Sequence, residues 1–222
     1  MRGNQTWPAR SSGADRWAAA QDHRLLQIED EGLLMRIASY LILSSLMVLF
    51  GYLVFRVTVR REYERRDRLS ALSTSLECLV FALHANLSYT FLPARWPALP
   101  SLPDNEFHSA VGFGILSIGI VVTLWSMISL GLRKALGQQT GSLYRSGFYR
   151  YSRNPQVVAY SLVVIGFALL WPSIYGLGWL LIYGAMAHMM VRTEEEHLER
   201  IFGSEYKHYC EEVLRYLPWP RG

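Results

Sequence analysis

Charge is scarce in this chain. Only 18% of its 222 residues are charged, against about 25% in a typical soluble domain. The deficit is concentrated in long apolar blocks, and 51% of the residues are hydrophobic, which excludes an ordinary soluble domain and indicates a membrane protein. Cysteine is almost absent: Cys78 lies in an apolar block and Cys210 in the C-terminal tail. With two such cysteines a disulfide framework is not expected, and they have no metal-ligand spacing, so no metal is expected. Lysine is scarce too, since arginine supplies 20 of the 22 basic residues. The net charge is +4, but its arginines cluster in a few segments, which reads as membrane topology before nucleic-acid binding. Residues 1–32 lack an apolar core, so a cleavable signal peptide is not expected there. That polar arm is expected to be partly disordered, with a short helix near Ala18–Ile28. Neither an internal repeat nor a Ser/His/Asp nucleophile set is found.

Five apolar segments are present, at about Leu33–Phe55, Ser75–Leu92, Phe107–Leu130, Gln156–Trp171 and Ile174–Val191. A spanning helix needs about 20 apolar residues; the second segment is weakened by Glu77, His84 and Asn86, and the fourth is short. Trp171-Pro172-Ser173 separates the last two and predicts a tight helical hairpin. The expected architecture is all-α, with about five transmembrane helices and a C-terminal amphipathic helix. It divides into an arm (1–32), the first two spans with their loops (33–106) and a core (107–222).

The arginines orient this scheme. Arg56, Arg60, Arg61, Arg65, Arg66 and Arg68 follow the first segment; Arg133, Lys134, Arg145, Arg150 and Arg153 follow the third; Arg192, Arg200, Lys207, Arg215 and Arg221 follow the fifth. Pro93–Glu106 carries only Arg95, and the Trp171–Tyr175 turn has no basic residue. Positive charge stays on the cytoplasmic side. Five spans place all three basic regions there and the N-terminus outside. Arg153-Asn154-Pro155 and Glu194–Glu196 then meet at the cytoplasmic interface.

Ionisable groups beside a membrane segment are costly unless solvated, paired or holding a ligand, so this meeting point is the candidate site. At 100° per residue, His188, Arg192, Glu195 and Glu199 fall within about 60° of one another on one helix face, while Glu194 points elsewhere. Two readings fit. Arg192 and Glu195 could grip the carboxylate and ammonium of a zwitterion, or they could form a solvated i,i+3 pair. Pro155 suits the first turn of a helix and Asn154 its cap; free N–H groups there could also bind an anion. Tyr144, Phe148, Tyr149 and Tyr151 could wall a flat ring or anchor the loop in the interface. Gly112-Phe-Gly114, with Gly119, follows no strand, which excludes a dinucleotide-binding fingerprint; close helix packing is one reading and approach of a ligand the other. His84 and Asn86 read either as functional groups or as a satisfied interhelical hydrogen bond. Cys78 reads as inert packing.

Gly147, Tyr149, Arg153-Asn154-Pro155, Glu194-Glu195, Leu198, Phe202-Gly203, Tyr206, Tyr209, Val213 and Pro218 occur in that order. The run resembles the C-terminal region of the membrane-embedded isoprenylcysteine carboxyl methyltransferase and phospholipid N-methyltransferase superfamily. The resemblance covers about Gly112 to Pro218. It implies an S-adenosylmethionine site involving Tyr149, Tyr151, Arg153, Asn154, Pro155, Arg192, Glu194 and Glu195, with Gly112 and Gly114 matching a glycine pair. The substrate would enter from the bilayer, with the site facing the cytoplasm of a bacterial inner membrane. Asn154 stands where eukaryotic members have histidine, Val157 where many relatives have tyrosine and Ala159 where many have glycine. Tyr160 is a possible substitute for the missing tyrosine.

The implied function is methyl transfer to a lipid or lipid-like acceptor, either O-methylation of an isoprenylcysteine-like carboxylate or N-methylation of a phospholipid. Positioning and desolvation can carry such a step. Arg153, Glu195 and His188 are the candidate catalytic residues, with His188 or Glu195 as the base if the acceptor is an ammonium. Glu195, with Glu194, is expected to hold the cofactor's amino group. An NADPH-dependent sterol-type reductase and a non-catalytic membrane scaffold are the alternatives.

Overall fold

A computed structural model describes the backbone of residues 13–91, 100–138 and 141–216; the side chains of residues 13–30 and of Arg133 lie outside the description. Among the described residues every regular element is helical. Arg95 and Pro218, which carried parts of the topology and resemblance arguments, fall outside these residues. The chain divides into two compact units, one ending at Ile42 and the other beginning at Leu43.

Helix α1 is Gly13–Tyr52. The polar arm was expected to hold only a short helix near Ala18–Ile28; instead helix begins at Gly13 and runs unbroken into the apolar segment. The stretch after Ala14 is rich in Ala, Leu, Gln and Arg, good helix formers, and has no proline. In the first unit, Leu33, Leu34, Met35 and Ile37 are exposed, a surface suited to lipid.

In the second unit the helix continues as a π segment, Leu53–Val59, and as α2, Arg60–Arg66. The arginine-rich stretch was read as a loop, but it is helical as far as Arg66. Arg60 pairs with Glu64 and Arg66 with Glu62 at i,i+4 spacing, which supports a helix without apolar burial. Asp67, in a left-handed conformation, ends it. α3 is Ala71–Thr90, capped by Ser70, whose hydroxyl accepts from the Ser73 amide. α4 is Glu106–Leu130, capped by Asn105, and α5 is a single turn, Leu132–Ala135. α6, Pro155–Leu170, and α7, Ile174–Phe202, are joined by Trp171–Ser173. α8, Ser204–Glu212, follows Gly203, whose φ of 52° turns the chain between the two helices.

Three helical stretches are long and apolar enough to cross a membrane: Glu31–Arg66, Glu106–Leu130 and Ile174–Phe202. α6 is apolar but shorter.

Small residues set the α4–α6 contact. A Cβ on Gly119 would stand 2.6 Å from the Val163 amide nitrogen, and one on Gly166 would stand 2.6 Å from that of Leu116. A Cβ on Gly112 would stand 2.8 Å from Leu170 Cδ2. These glycines let two backbones approach closely, as small residues do between membrane helices. Packing is therefore the role of Gly112 and Gly119.

α3 is tied to α7 by a reciprocal pair. The His84 ring Nε2 lies 3.0 Å from the Trp179 carbonyl, and the indole N–H donates to the His84 carbonyl at 2.7 Å. The rings stack with centroids 4.8 Å apart. His84 is fully buried, so the interhelical reading of this residue holds, whereas Asn86 is exposed and donates to Ala82 one turn back. Replacing His84 with alanine strands a buried carbonyl and removes the stack. About 2 kcal/mol of stability is expected to be lost, read as a lower midpoint in chemical unfolding in detergent.

Three basic segments gather at one end of this unit. Arg56 pairs with Glu196 at 3.0 Å, Arg60 approaches the same carboxylate at 3.7 Å, and Arg200 pairs with Asp67 at 2.9 Å. The Leu69 amide donates to the Gly137 carbonyl at 2.8 Å. The segment before α6 joins the tail through the Arg153 amide, which donates to the Leu214 carbonyl at 3.0 Å.

Candidate functional site

Glu195 is the hub of the network at the end where the basic segments gather. One carboxylate oxygen lies 3.4 Å from Arg153 Nη1 and 3.5 Å from Asn154 Nδ2. The other accepts from Arg215 Nε at 2.8 Å and Nη2 at 2.7 Å, two charge-assisted contacts to a single oxygen. The Arg153 guanidinium also contacts the Cys210 sulfur. Glu195 is therefore satisfied by the loop before α6 and by the tail, and not by Arg192.

The expected ladder on α7 is not assembled as a site. Arg192 and His188 are exposed, and His188 Nδ1 meets the Tyr216 hydroxyl at 3.1 Å. Asn154 takes the cap position of α6 without capping it; its side chain is drawn away by Glu195 and by the Arg215 carbonyl at 3.2 Å. Pro155 does occupy the first helical position and is buried.

Glu194, which the helical wheel turned away from this face, points into space instead. It lines two cavities, of about 420 and about 80 Å³. Tyr63, Leu130, Gly137, Tyr149, Arg153 and Glu194 line both, so the two adjoin. The larger has a polar end at Arg153, Asn154 and Gln156 and an apolar wall from Phe81 of α3, Met127 of α4, Val157 of α6 and Met190 of α7. Its volume falls within the range of about 300–1,000 Å³ usual for small-molecule sites. The smaller extends toward Lys134, Tyr144, Leu198, Tyr206 and Tyr209.

Of the expected aromatic wall, Tyr144 and Tyr149 line the smaller cavity, their rings edge to face at 5.3 Å. Tyr149 is held on both sides: its hydroxyl accepts from Gln156 at 3.0 Å, and its carbonyl accepts from the Tyr209 hydroxyl at 2.6 Å. Tyr151 and Phe148 are exposed and line neither cavity. Gly112 and Gly114 line neither; nothing lies within 4 Å of a Cβ built on Gly114. Their expected role near the cofactor has no support in this geometry. Tyr160 does share the larger cavity with Val157. Its ring approaches that of Tyr183 at 5.4 Å, and the Tyr183 hydroxyl donates to the Val157 carbonyl at 2.8 Å.

Burial pushes the Tyr149 phenol well above its ordinary pKa, with the Glu194 charge adding to it. Tyr206 and Tyr209 are raised for the same first reason. These phenols stay neutral near pH 7 and can donate hydrogen bonds but not accept a proton. Burial lowers the Lys134 ammonium, while the hydrogen bond to Glu195 raises Arg215.

Several cavity residues were not singled out as site candidates from the sequence: Tyr63, Gln156, His197 and, for the network, Arg215 and Cys210. Tyr63 and His197 stack at 3.9 Å although 134 positions separate them. Spacing along α7 held the one available signal: Tyr183, Met190, Glu194 and Leu198 share a helical stripe, and all four line a cavity.

Comparison with known proteins bears on what this cavity serves. A family model for phospholipid methyltransferases matches residues 107–205. That segment is similar to the phospholipid methyltransferase family. The match agrees with the superfamily resemblance carried by the Gly147–Pro218 motifs. No curated protein and no solved structure matches the chain. The match to the phospholipid methyltransferase family model points to methyltransferase activity in general, and the three spanning-length helices fit a membrane enzyme. The matched segment contains α6, α7, Arg153, Glu194 and all of α4 but its first residue; Tyr63, Glu77 and Arg215 lie outside it.

Phospholipid methyltransferases generally use S-adenosylmethionine, and the residues present fit that group. Arg153 lines the cavities, and its buried Nε has no hydrogen-bond partner, a spare donor suited to a carboxylate. Glu194 lines the same space with no ion-pair or hydrogen-bond partner among the described residues, suited to a cationic group.

Proposed function

We propose that this protein is an S-adenosylmethionine-dependent methyltransferase of five membrane spans, acting at the cytoplasmic interface on a lipid or lipid-like acceptor. One observation carries the reading: a single cavity joins the polar Arg153–Glu194 end to an apolar wall built from α3, α4, α6 and α7. A polar cofactor and a lipid tail need such a space together. The gathering of the three arginine-rich segments at one end supports the five-span topology, because the charge rule puts them all on the cytoplasmic side. The packing of Val164 of α6 against Trp179 and Tyr183 of α7 supports the hairpin.

When bound, the cofactor supplies an electrophilic methyl on a sulfonium. Arg153 holds its carboxylate through the spare Nε, and Glu194 holds its ammonium. Tyr149, fixed by Gln156 and Tyr209, forms the aromatic boundary. Glu195 acts one layer behind: it orients Arg153 and Asn154 and neutralises the arginines. Exclusion of water by the apolar wall, with fixed orientation of both partners, supplies the catalysis.

Calorimetric titration of detergent-purified protein with S-adenosylhomocysteine, with NADPH in parallel, tests this. Micromolar binding of the first is expected, weakened at least tenfold by Glu194→Gln. Binding of NADPH alone, or of neither ligand, overturns the methyltransferase reading.

A further inference from the structure

Glu77 of α3 faces the larger cavity and is used by nothing described so far. It stands about two turns from the start of the helix, on the side of the arginine-rich α2. Among the described residues it has neither an ion-pair nor a hydrogen-bond partner. An ionisable group at such a depth is costly unless a ligand or charge answers it.

The formal charges lining this cavity are Arg153, Glu194 and Glu77, and Arg153 is shared with Glu195 at 3.4 Å. A zwitterionic cofactor satisfies Arg153 with its carboxylate and Glu194 with its ammonium. Glu77 is left over, in a cavity that Val157 and Tyr160 also line. A carboxylate acceptor would meet a second anion there, whereas an ammonium acceptor would meet its counter-charge. The two bases suggested by the sequence do not compete for the task. His188 is exposed and bonded to Tyr216, and both oxygens of Glu195 are occupied.

We propose that Glu77 binds the protonated amine head of the lipid acceptor and takes its proton before methyl transfer. The proposal rests on the methyltransferase reading above. The ammonium N–H proton moves to a Glu77 carboxylate oxygen and leaves a neutral amine. The nitrogen lone pair then forms the N–C bond as the S–C bond of the sulfonium donor breaks, its electron pair staying on sulfur. The proton leaves Glu77 for water. The other titratable groups lining this cavity are Tyr63 of α2, Cys78 of α3, Tyr160 of α6, Tyr183 and Glu194 of α7, and Tyr149 and Arg153 of the segment before α6; α4 contributes none.

The test uses the full chain in detergent. Dodecylamine and dodecanoate, below their micellar concentrations, are titrated without cofactor into wild type, Glu77→Gln and Glu77→Asp, with S-adenosylhomocysteine and S-adenosylmethionine titrated separately. Wild type is expected to prefer the amine at least tenfold, Glu77→Gln to lose that preference and Glu77→Asp to retain part of it. S-adenosylhomocysteine should bind all three alike, which shows that the variants are folded. In single-turnover methylation of the amine, Glu77→Gln should be slower by about a hundredfold or more near neutral pH. Its rate should keep rising with pH as free amine forms, beyond the point where wild type levels off. An amine preference unchanged in Glu77→Gln overturns the proposal while leaving cofactor binding and the methyltransferase reading intact. So does a loss confined to S-adenosylmethionine, which would assign Glu77 to the sulfonium. Amine selectivity that depends on Glu77, without any cofactor binding, would keep the head-group site and overturn the methyltransferase reading alone.

Discussion

Replacing Glu195 with alanine is expected to lower the unfolding free energy by about 3 kcal/mol, the lower end of what removing one partner of a buried ion pair costs. The carboxylate and the Arg153 side chain are 9% and 12% exposed. Their separation from water makes an uncompensated arginine expensive. Arg215 is 31% exposed and can turn to solvent, which keeps the loss from being larger. Unfolding of the detergent-solubilised protein measures the effect. The double variant Glu195→Ala with Arg215→Ala should recover part of it, because fewer unpaired charges remain. Glu195→Gln keeps the shape but weakens the hold on Arg153 and Asn154. Its affinity for S-adenosylhomocysteine should fall at least tenfold, although Glu195 itself lines neither cavity. Wild-type affinity in that variant would remove Glu195 from the positioning role.

Gly166→Val is expected to be the most damaging substitution in the helix bundle. A Cβ there would stand 2.6 Å from the Leu116 amide nitrogen and 2.8 Å from the Gly112 carbonyl. Both are backbone atoms that cannot swing aside, so α4 and α6 must separate. Overpacking of this kind costs about 3 kcal/mol at the upper end of its usual range. It also moves Thr123, Met127 and Leu130, the α4 wall of the larger cavity, so cofactor binding should fail together with stability. Gly114→Ala is the control. It meets nothing within 4 Å and is expected to change neither the unfolding midpoint nor the affinity, although Gly114 was grouped with Gly112 near the cofactor on motif grounds.

The apolar segments were legible because hydrophobic length is a local property. The Phe107–Leu130 block became α4 with its N-terminus displaced by one residue, and α6 and α7 likewise kept their expected starts within one residue. The helix through Arg66 was less legible, since apolar periodicity fades there and i,i+4 ion pairs take over. The candidate site was legible as a neighbourhood in the sequence but not as a constellation. Glu194 and Glu195 are adjacent, and a helical wheel measures only the 100° between them. It placed Glu195 with His188 and Arg192, but it held no information about which stripe faces a void and which faces the tail. The same limit applied to Asn154, whose type suits a helix cap but whose side chain goes to a stronger partner, the Glu195 carboxylate.

Composition and motif order by themselves determined that this is an all-helical membrane protein with a methyltransferase-like segment from the third apolar block onward. They also pointed to the Arg153 and Glu194–Glu195 neighbourhood as the candidate site. Apolar length, arginine placement and a run of spaced residues are properties of neighbours in the chain, so no tertiary contact is needed to read them. Tertiary structure alone decided that Glu195 is consumed by Arg153 and Arg215, that Glu194 and Glu77 face one cavity from different helices, and that Gly112 serves helix packing. Each depends on which surfaces meet across the bundle, and pairing energy, close approach and shared burial exist only once α3, α4, α6, α7 and the tail have come together.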